Sequence, residues 1–317
     1  MSFNKNISLI TVLILIVGIS SCKKGTPTDP PTPVPDLTEL KGAYLGQTPP
    51  GNVPVKFAPN NLFIATSTNW WYHGSPVFSP DGNEMYFVKY IHNPHSVQIW
   101  FTKCINGQWT VPQKASFSTG SFDNNPYFGV SNDTLYFQSQ RGGGIIFRVT
   151  RTATGWTQPT ALNIPYPSGY GVSNEFYIAR NKSIYFSLEL LAASSDRDIY
   201  RSRFINGSYT QPENLGLPIN TSDGEGIGYV DPDERFIIYY SPKPGGLGYH
   251  DLYISSRNQN GTWNNPISLG PLINSGSEEV DPYITPDGRY FFFNTWRASD
   301  DGYTPYWVDA KILDALK

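Results

Sequence analysis

One block of about thirteen residues recurs five times along this chain, and this repetition limits the fold more than any other feature. Each copy contains a short strand-like segment, a tight turn and a second, strongly apolar segment rich in Tyr, Phe and Ile. Matching positions lie 50, 49, 53 and 54 residues apart. A period of about 40 to 50 residues built from strands is typical of β-propeller blades. The matching positions are Val77, Tyr127, Phe176, Tyr229 and Tyr283.

The residues between the copies complete a four-stranded unit. Pro80-Asp81-Gly82 and Pro286-Asp287-Gly288 have the residue types that tight turns favour. A third strand follows a variable loop, and an aromatic residue three positions before a proline, as in Trp109 to Pro112, indicates a fourth. Proline suits an outermost strand, because an edge strand can spare one backbone donor. Four antiparallel strands in each repeat predict a propeller blade.

The fifth unit contains three strands, the last at Tyr306 to Asp309, and lacks an outermost strand of its own. Upstream, the segment from Val53 to Ile64 carries Phe57-Ala58-Pro59, which echoes the aromatic–proline element. We therefore predict an all-β fold, a propeller of five blades with four antiparallel strands each. An N-terminal strand would join the C-terminal blade and remove an exposed sheet edge. Six blades are the alternative, but a sixth needs about 45 more residues than follow Leu40.

The first 40 residues have the composition of an export signal and a spacer. Lys5 precedes an apolar run from Ile7 to Ile19, which is too short to span a membrane and fits a signal-peptide core. The small residues before Cys22 resemble the lipobox of bacterial lipoproteins, which implies that Cys22 carries the lipid. An ordinary signal with an incidental cysteine is the alternative. Five prolines then predict a semi-rigid tether. The predicted domains are a signal peptide at 1–21, the lipidated Cys22 and tether at 22–40, and a propeller at 41–317.

The Pro-Asp turns carry a family resemblance. Phe78-Ser79-Pro80-Asp81-Gly82, Thr285-Pro286-Asp287-Gly288 and the segment from Pro244 to Tyr253 resemble the repeats of the TolB-like, WD-repeat-like propeller family. The resemblance covers residues 53–310 and implies a propeller fold. It implies little about activity, since the family includes periplasmic scaffolds and the propeller halves of peptidases and polysaccharide lyases. The second and third units lack the Pro-Asp-Gly sequence and retain only a tight turn.

Composition and motifs exclude several function classes. A net charge of −3 and a pI near 5.8 provide no basic surface, so nucleic acid is not expected as a partner. With Cys22 assigned to the lipid, only Cys104 remains, and no intrachain disulfide is expected. No Gly-x-Ser-x-Gly nucleophile elbow follows the signal segment. We therefore assign no catalytic residue and no metal ligand, and favour a binding protein over an enzyme.

Polar residues are concentrated where each innermost strand begins, which in a propeller is one mouth of the central channel. Acidic groups come from four blades and predict a ligand site there. The alternative is that these acids are solvated or hydrogen-bonded to neighbouring strands. No resident cofactor is expected, although opposed carboxylates could hold a divalent cation. The candidate ligand-binding residues are His73, Asp123, Asn125, Asn174, Glu175, Glu225, Glu279 and Asp281, with Glu278 beside them at the mouth and Arg141, Lys243, Arg297 and Trp296 at the rim.

Two functions fit this pattern. The favoured one is a monomeric scaffold that binds a protein partner in the cell envelope, anchored by its lipid to a membrane, which we expect to be the outer membrane. The alternative is a carbohydrate-binding or carbohydrate-active lipoprotein, similar to a glycosidase or lyase, that uses the acidic mouth. Aromatic residues such as Trp70, Trp71, Tyr72 and Trp296 would then stack on sugar rings, unless they pack between blades.

Overall fold

The computed structural model describes residues 40–57, 62–63, 70–120, 122–142, 145–192, 197–297, 300 and 302–317. These residues form five antiparallel blade sheets around a common axis and one further two-stranded sheet, so the predicted five-bladed, all-β propeller is confirmed. They contain no α-helix, and none of their helical turns is long and apolar enough to cross a membrane. The predicted signal peptide, the lipidated Cys22 and the tether up to residue 39 lie outside the described residues.

The first blade follows β1 (Val55–Lys56), a strand that belongs to the last blade. Its innermost strand is interrupted, and both pieces pair with the long second strand. The second and third strands pair over eight residue pairs, from Glu84 with Lys103 to Ile91 with Ser96. The strands of this blade are β2 (Trp70–Tyr72), β3 (Val77–Phe78), β4 (Glu84–Ile91), β5 (Ser96–Ile105), β6 (Gln108–Trp109) and β7 (Gln113–Lys114).

Blades two to four repeat this plan, and in each the outermost strand begins directly after the predicted proline. Blade two contains β8 (Asn124–Phe128), β9 (Thr134–Gln138), β10 (Ile146–Thr152), β11 (Gly155–Trp156) and β12 (Thr160–Ala161). Blade three contains β13 (Tyr170–Ile178), β14 (Ile184–Leu190), β15 (Arg197–Ser202), β16 (Phe204–Ile205), β17 (Ser208–Tyr209) and β18 (Glu213–Asn214). Blade four contains β19 (Gly226–Val230), β20 (Phe236–Ser241), β21 (Asp251–Ser256) and β22 (Ile267–Ser268).

Blade five closes the ring with strands from both parts of the chain. Val55 pairs with Trp307 and Lys56 with Tyr306, and the Phe57 backbone N–H donates to the Pro305 carbonyl at 2.8 Å. The predicted closure by an N-terminal strand is therefore confirmed. The strands, in sheet order, are β1, β25 (Thr304–Asp309), β24 (Tyr290–Thr295) and β23 (Glu279–Ile284), and short 3-10 turns lie at Ala43–Gly46 and Ala310–Leu313.

The N-terminal segment reaches the propeller on the face that carries the Pro-Asp-Gly turns, which we call the turn face. The Gly42 backbone N–H donates to the Gly107 carbonyl at 3.1 Å, and the Tyr44 hydroxyl donates to Asp287 Oδ2 at 2.7 Å. Asp287 belongs to the Pro-Asp-Gly turn of blade five. The opposite face, which carries the starts of the innermost strands, is called the mouth face below.

The third repeat departs from the predicted alignment by one residue. Five residues separate the last paired positions of β13 and β14, Ile178 and Ile184, whereas six separate the last paired positions of β8 and β9, Phe128 and Leu135. Tyr177 rather than Phe176 therefore occupies the position of Tyr127, and the alignment over Phe176 was wrong. The correction matters because side chains alternate along a strand, so a shift of one residue exchanges the two faces.

Every innermost strand is interrupted at the same level. The chain leaves the sheet between β2 and β3 in blade one, and the pairing register shifts within the other four innermost strands. Asn125 and Asp281 lie in these bulges with φ of 45° and 50°, a conformation that Asn and Asp tolerate better than most residues. A bulge redirects the side chains of the extra residues. Here it turns Asn125, Glu175 and Asp281 toward one cavity on the channel axis.

The joint in blade five is an aromatic cluster. Phe57 is fully buried, and its ring lies 5.1 Å from Phe292 and 5.2 Å from Trp307, measured between centroids. The neighbouring strand β24 is buried along its whole length, because the blade packs between two others. Closure of the ring therefore buries apolar side chains of the N-terminal strand segment against those of the C-terminal strands.

We predict that Phe57→Ala lowers the free energy of unfolding by about 3–5 kcal/mol, the usual loss for a buried Phe. Denaturant unfolding of the purified protein measures this loss. Val53→Ala is the matched control, because Val53 is 64% exposed and its truncation changes stability by no more than about 0.5 kcal/mol. A loss below about 1 kcal/mol for Phe57→Ala would mean that this segment does not contribute to the cooperative fold.

Candidate functional site at the channel mouth

A layer of tyrosine rings divides the channel. The Tyr177 ring lies 5.2 Å from Tyr127 and 5.9 Å from Tyr229. The Tyr177 hydroxyl donates to the Pro282 carbonyl at 3.2 Å, so blade three contacts blade five across the axis. Tyr283 bonds through its hydroxyl to the backbone of blade one. Because this layer fills the channel, the mouth face and the turn face carry separate sites.

A cavity of about 30 Å³ lies next to this layer and is lined by the bulge residues Asn125, Glu175 and Asp281. Asp281 is only 6% exposed, and its Oδ2 atom has no hydrogen-bond partner among the described residues. His73 Nδ1 lies 3.8 Å from that atom. Glu175 accepts hydrogen bonds at Oε2 from the Tyr240 hydroxyl (3.1 Å) and from a neighbouring serine. The cavity thus holds two carboxylates, one of them incompletely bonded.

A ring of side-chain contacts joins these carboxylates across four blades. The His73 ring lies 4.9 Å from Tyr303, whose hydroxyl donates to Glu278. The other oxygen of Glu278 lies 2.5 Å from Nδ1 of His250, and the His250 ring lies 5.2 Å from Tyr240. The group His73, Glu175, Tyr240, His250, Glu278, Asp281 and Tyr303 is called the mouth ring below.

The loop before β21 places His250 in the mouth ring. The Tyr249 backbone N–H donates to the Ser277 carbonyl at 2.8 Å, which holds this loop against blade five. Gly248 permits the approach, since a Cβ there would lie 1.9 Å from the Ser277 carbonyl oxygen. The Asp251 carboxylate also holds this loop, because it accepts hydrogen bonds from the backbone N–H groups of residues 247 and 248. A larger residue at position 248 would therefore displace His250 from Glu278.

Burial and charge act differently on the three acids of the mouth ring. Burial raises the pKa of Asp281, and the nearby His73 only partly opposes this. Burial also raises the pKa of Glu175, and the charge of Asp281 raises it further. The hydrogen bond from His250 is the main cause that lowers the pKa of Glu278. Two carboxylates are thus held where ionisation is unfavourable, a feature that is concentrated at functional sites.

Three other predicted acids are bonded to the loops that lead into their strands. Asp123, Glu225 and Glu279 are fully buried, and each accepts a backbone N–H from four residues earlier. Glu225 and Glu279 also accept from the hydroxyl of that residue at 2.5 and 2.6 Å. These bonds agree with the alternative in which the acids at the mouth are hydrogen-bonded to the protein itself. A role of these three acids in ligand binding stays a prediction. The backbone donors are Thr119 (2.6 Å), Thr221 (2.7 Å) and Ser275 (2.9 Å).

The predicted rim cations support the same loops. Arg141 forms an ion pair with Asp123, and Lys243 Nζ lies 4.0 Å from Glu225 Oε1. Arg297 donates from Nη2 to a loop carbonyl at 3.0 Å. None of these three side chains lines the cavity between Glu175 and Asp281. Their place is therefore beside the loop acids, away from the mouth ring.

The sequence prediction located part of this site. The structure brings His73, Asn125, Glu175 and Asp281 together, while the side chain of Asn174 lies outside the described part of the chain. From the loops after second strands, only rim residues were taken as candidates, so Tyr240 at the end of a second strand and His250 and Tyr303 before third strands were missed. The signal that could have found His250 is its position directly before a third strand, within a Gly-rich loop. The missed members of the mouth ring are Tyr240, His250 and Tyr303, and Arg197 donates to Tyr240 at 2.8 Å.

Metal binding gains little support from this geometry. Within the described ranges, no three His, Cys, Asp or Glu side chains gather in the manner of a metal site. Calcium usually takes six to eight oxygen ligands. A divalent cation at the mouth therefore stays a prediction that lacks a ligand set.

The turn face carries a larger hollow of about 550 Å³, which is within the range of small-molecule pockets. Its charged side chains satisfy one another, since Arg180 pairs with Asp233 and Arg235 with Asp231, each at 2.6 Å. The mouth face differs because a buried carboxylate oxygen there lacks a donor. We therefore take the mouth as the candidate functional site. The hollow is lined in part by Pro80, Pro232, Pro286, Tyr127, Tyr229 and Tyr283.

Fold and site together define a five-bladed propeller with a polar, aromatic mouth. No protein-family model matches the sequence, and no curated protein matches it. Among solved structures, the chain is similar to an α-L-arabinofuranosidase from Podospora anserina in complex with cellotriose (11% identity, TM-score 0.47, 77% of this chain and 93% of that chain). It is also similar to the β-propeller domain of the trilobed protease from Pyrococcus furiosus (13%, 0.39, 76% and 67%). A third is a post-proline cleaving enzyme from Rickettsia typhi (9%, 0.39, 72%), of which this chain spans 33%. Similarity at this level assigns no activity, and the fold rests on the sheet topology itself.

We expect opposite changes in stability when the two kinds of buried acid are each replaced by the corresponding amide. Glu279→Gln should lower the free energy of unfolding by about 2 kcal/mol, because it weakens hydrogen bonds to a charged acceptor. Asp281→Asn should raise stability at neutral pH, since a raised folded-state pKa means that the folded protein binds the proton more tightly than the unfolded chain. That gain should shrink as the pH falls through the raised pKa and vanish below the ordinary aspartate pKa, where the carboxyl is protonated in both states. Unfolding measured from pH 4 to 8 tests both effects, and the reverse order of the two variants would contradict the assignment.

Proposed function

We propose that this protein is a non-enzymatic binding module of the bacterial cell envelope, held at a membrane by a lipid on Cys22, which presents its mouth face to a protein partner. The observation that carries the proposal is the opposite placement of attachment and site. The N-terminal segment joins the turn face through Tyr44, and the mouth ring lies on the other face. Within the described residues, the N-terminal part of the chain therefore contacts the face opposite the mouth ring.

Exposed aromatic side chains support the mouth face as the binding surface. Tyr249 and Trp296 are 70% and 55% exposed, and they are the exposed aromatic side chains of the described residues. Both lie on mouth-face loops and contact the mouth ring, Tyr249 at 4.4 Å from His250 and Trp296 at 6.0 Å from Tyr303. Aromatic residues that surround a desolvated polar centre are typical of protein-binding surfaces.

The size of the cavity favours binding over catalysis. Ligand pockets usually enclose about 300–1,000 Å³. The cavity beside Glu175 and Asp281 encloses only about 30 Å³, which admits a group of one or two heavy atoms but no sugar ring or amino-acid residue. A partner would therefore lie across the mouth face and insert at most a small group.

Site-specific photocrosslinking in intact cells tests this proposal. A photoreactive residue in place of Tyr249 or Trp296 should give one defined protein adduct. Val130 and Ile205 are the matched controls, since they are 50% and 48% exposed and lie on the turn face. These positions should give no such adduct. Equal adducts from both faces, or adducts from the turn face alone, would refute the assignment of the mouth face.

A carbohydrate ligand is the second candidate function, and the exposed ring of Trp296 beside Tyr303 favours it. Glycan-array binding of the parent and of Trp296→Ala separates the two functions. A glycan signal that falls at least tenfold in Trp296→Ala, without a protein adduct at the mouth, would replace the protein partner with a glycan. A protein adduct without a glycan signal would retain the scaffold function.

The lipid anchor makes a separate prediction. Cys22→Ser should move the protein from the membrane fraction to the soluble envelope fraction, because the acyl chains would have no attachment site. Cell fractionation with immunodetection measures the shift, and Cys104→Ser is the matched control because that thiol lies in β5 of the first blade. An unchanged distribution of Cys22→Ser would support the ordinary cleaved signal instead.

A further inference from the structure

The mouth cavity has a charge imbalance that its own residues do not remove. Asp281 and Glu175 both line it, and Oδ2 of the buried Asp281 lacks a hydrogen-bond donor among the described residues. A buried carboxylate oxygen without a donor destabilises the folded state. A ligand that supplies both a positive charge and N–H donors would satisfy this atom.

The shape and lining of the cavity distinguish between classes of cation. A metal ion needs more ligands than the acids present here, as shown above. A primary ammonium group carries three N–H donors and no acceptor, so two carboxylates and a polar neighbour can satisfy it. The rest of the lining is mixed: it includes Tyr127, Tyr177 and Tyr283 together with apolar side chains such as Val77 and Val88, and aromatic rings attract organic cations. The volume of about 30 Å³ fits an ammonium head and excludes the chain that carries it.

We infer that the mouth cavity binds a primary ammonium group of the partner, a lysine side chain or a peptide N-terminal amine, through charge-assisted hydrogen bonds to Asp281 and Glu175. The identity of the partner rests on the proposed function, whereas the chemistry of the cavity does not. The rest of the partner lies on the mouth face, where Tyr249 and Trp296 are exposed. One inserted ammonium group therefore fixes the position of the partner on the mouth face.

The charges around the cavity favour such a guest at neutral pH. Three carboxylates, those of Glu175, Glu278 and Asp281, lie near the single guanidinium of Arg197, which leaves an excess of negative formal charge. His73 Nδ1 lies 3.8 Å from Asp281 Oδ2. The charged and titratable groups involved are His73, Glu175, Arg197, His250, Glu278 and Asp281.

Calorimetric titration of the full chain in detergent tests the inference. The probes are n-butylammonium, Nα-acetyl-lysine methylamide and glycine methylamide, and the last two separate a lysine side chain from an N-terminal amine. We expect binding of n-butylammonium and of at least one of the two amides, with at least a tenfold loss of affinity in Asp281→Asn and in Glu175→Gln. Asp233→Asn is the control, because that carboxylate is exposed and paired with Arg180 on the turn face, and it should leave the affinity unchanged. Thermal unfolding of each variant confirms that it is folded.

Several results would overturn the inference. These are no detectable binding of n-butylammonium to the parent, equal affinity for n-butanol or butyltrimethylammonium, and an affinity that Asp281→Asn leaves unchanged. Displacement of the amine by equimolar calcium would assign the cavity to a metal instead. Failure here is distinguishable from failure of the proposed function. A mouth-face adduct that forms equally in Asp281→Asn cells would retain the binding module without the amine, and amine binding without any adduct would retain only the cavity chemistry.

Discussion

The pairing of β1 with β25 is the contact on which the rest of the structure depends. Each blade is a small sheet that cannot bury both faces alone, and the ring supplies the second face only when it is closed. Val55 and Lys56 provide the outermost strand of blade five, and Phe57 packs on Phe292 and Trp307 directly beyond them. The same closure brings Asp281 of blade five within 3.8 Å of His73 in blade one. The geometry of the candidate site therefore depends on the pairing of β1 with β25 at the outer edge of blade five.

The buried acids of this propeller serve two purposes. Asp123, Glu225 and Glu279 are fully bonded to backbone N–H groups and hydroxyls, so they stabilise the loops that lead into three innermost strands. Glu175 and Asp281 lie in bulges that turn them toward one cavity, and Oδ2 of Asp281 has no hydrogen-bond partner among the described residues. Burial raises the pKa of both, as it also raises that of Glu225. The candidate site therefore differs from the loop acids in its incompletely bonded carboxylate oxygen rather than in its pKa values.

The two faces of the disc have different roles in this picture. The turn face holds the N-terminal segment and pairs its own charges, while the mouth face exposes Tyr249 and Trp296 around an unsatisfied polar centre. Variable loops on a rigid frame are where binding usually lies. The small cavity limits what a partner can insert, so recognition would combine one buried polar group with broad contact across the face.

Local sequence patterns determined the number of blades, their strand order and the closing strand, because turn residues and apolar runs act within a few positions of the chain. They did not determine the one-residue deletion in the third turn, which moved Tyr177 rather than Phe176 into the channel layer. Nor could they bring His250, Glu278 and Tyr303 into one cluster, since Gly248 and the loop that it allows to approach blade five act across the ring. The sequence alone thus determined the propeller and the acidic character of its mouth. Only the tertiary structure decided which acids are bonded to their own loops and which are turned toward the cavity, because the bulges that redirect Glu175 and Asp281 form only in the paired strands and the two residues meet only in the closed ring.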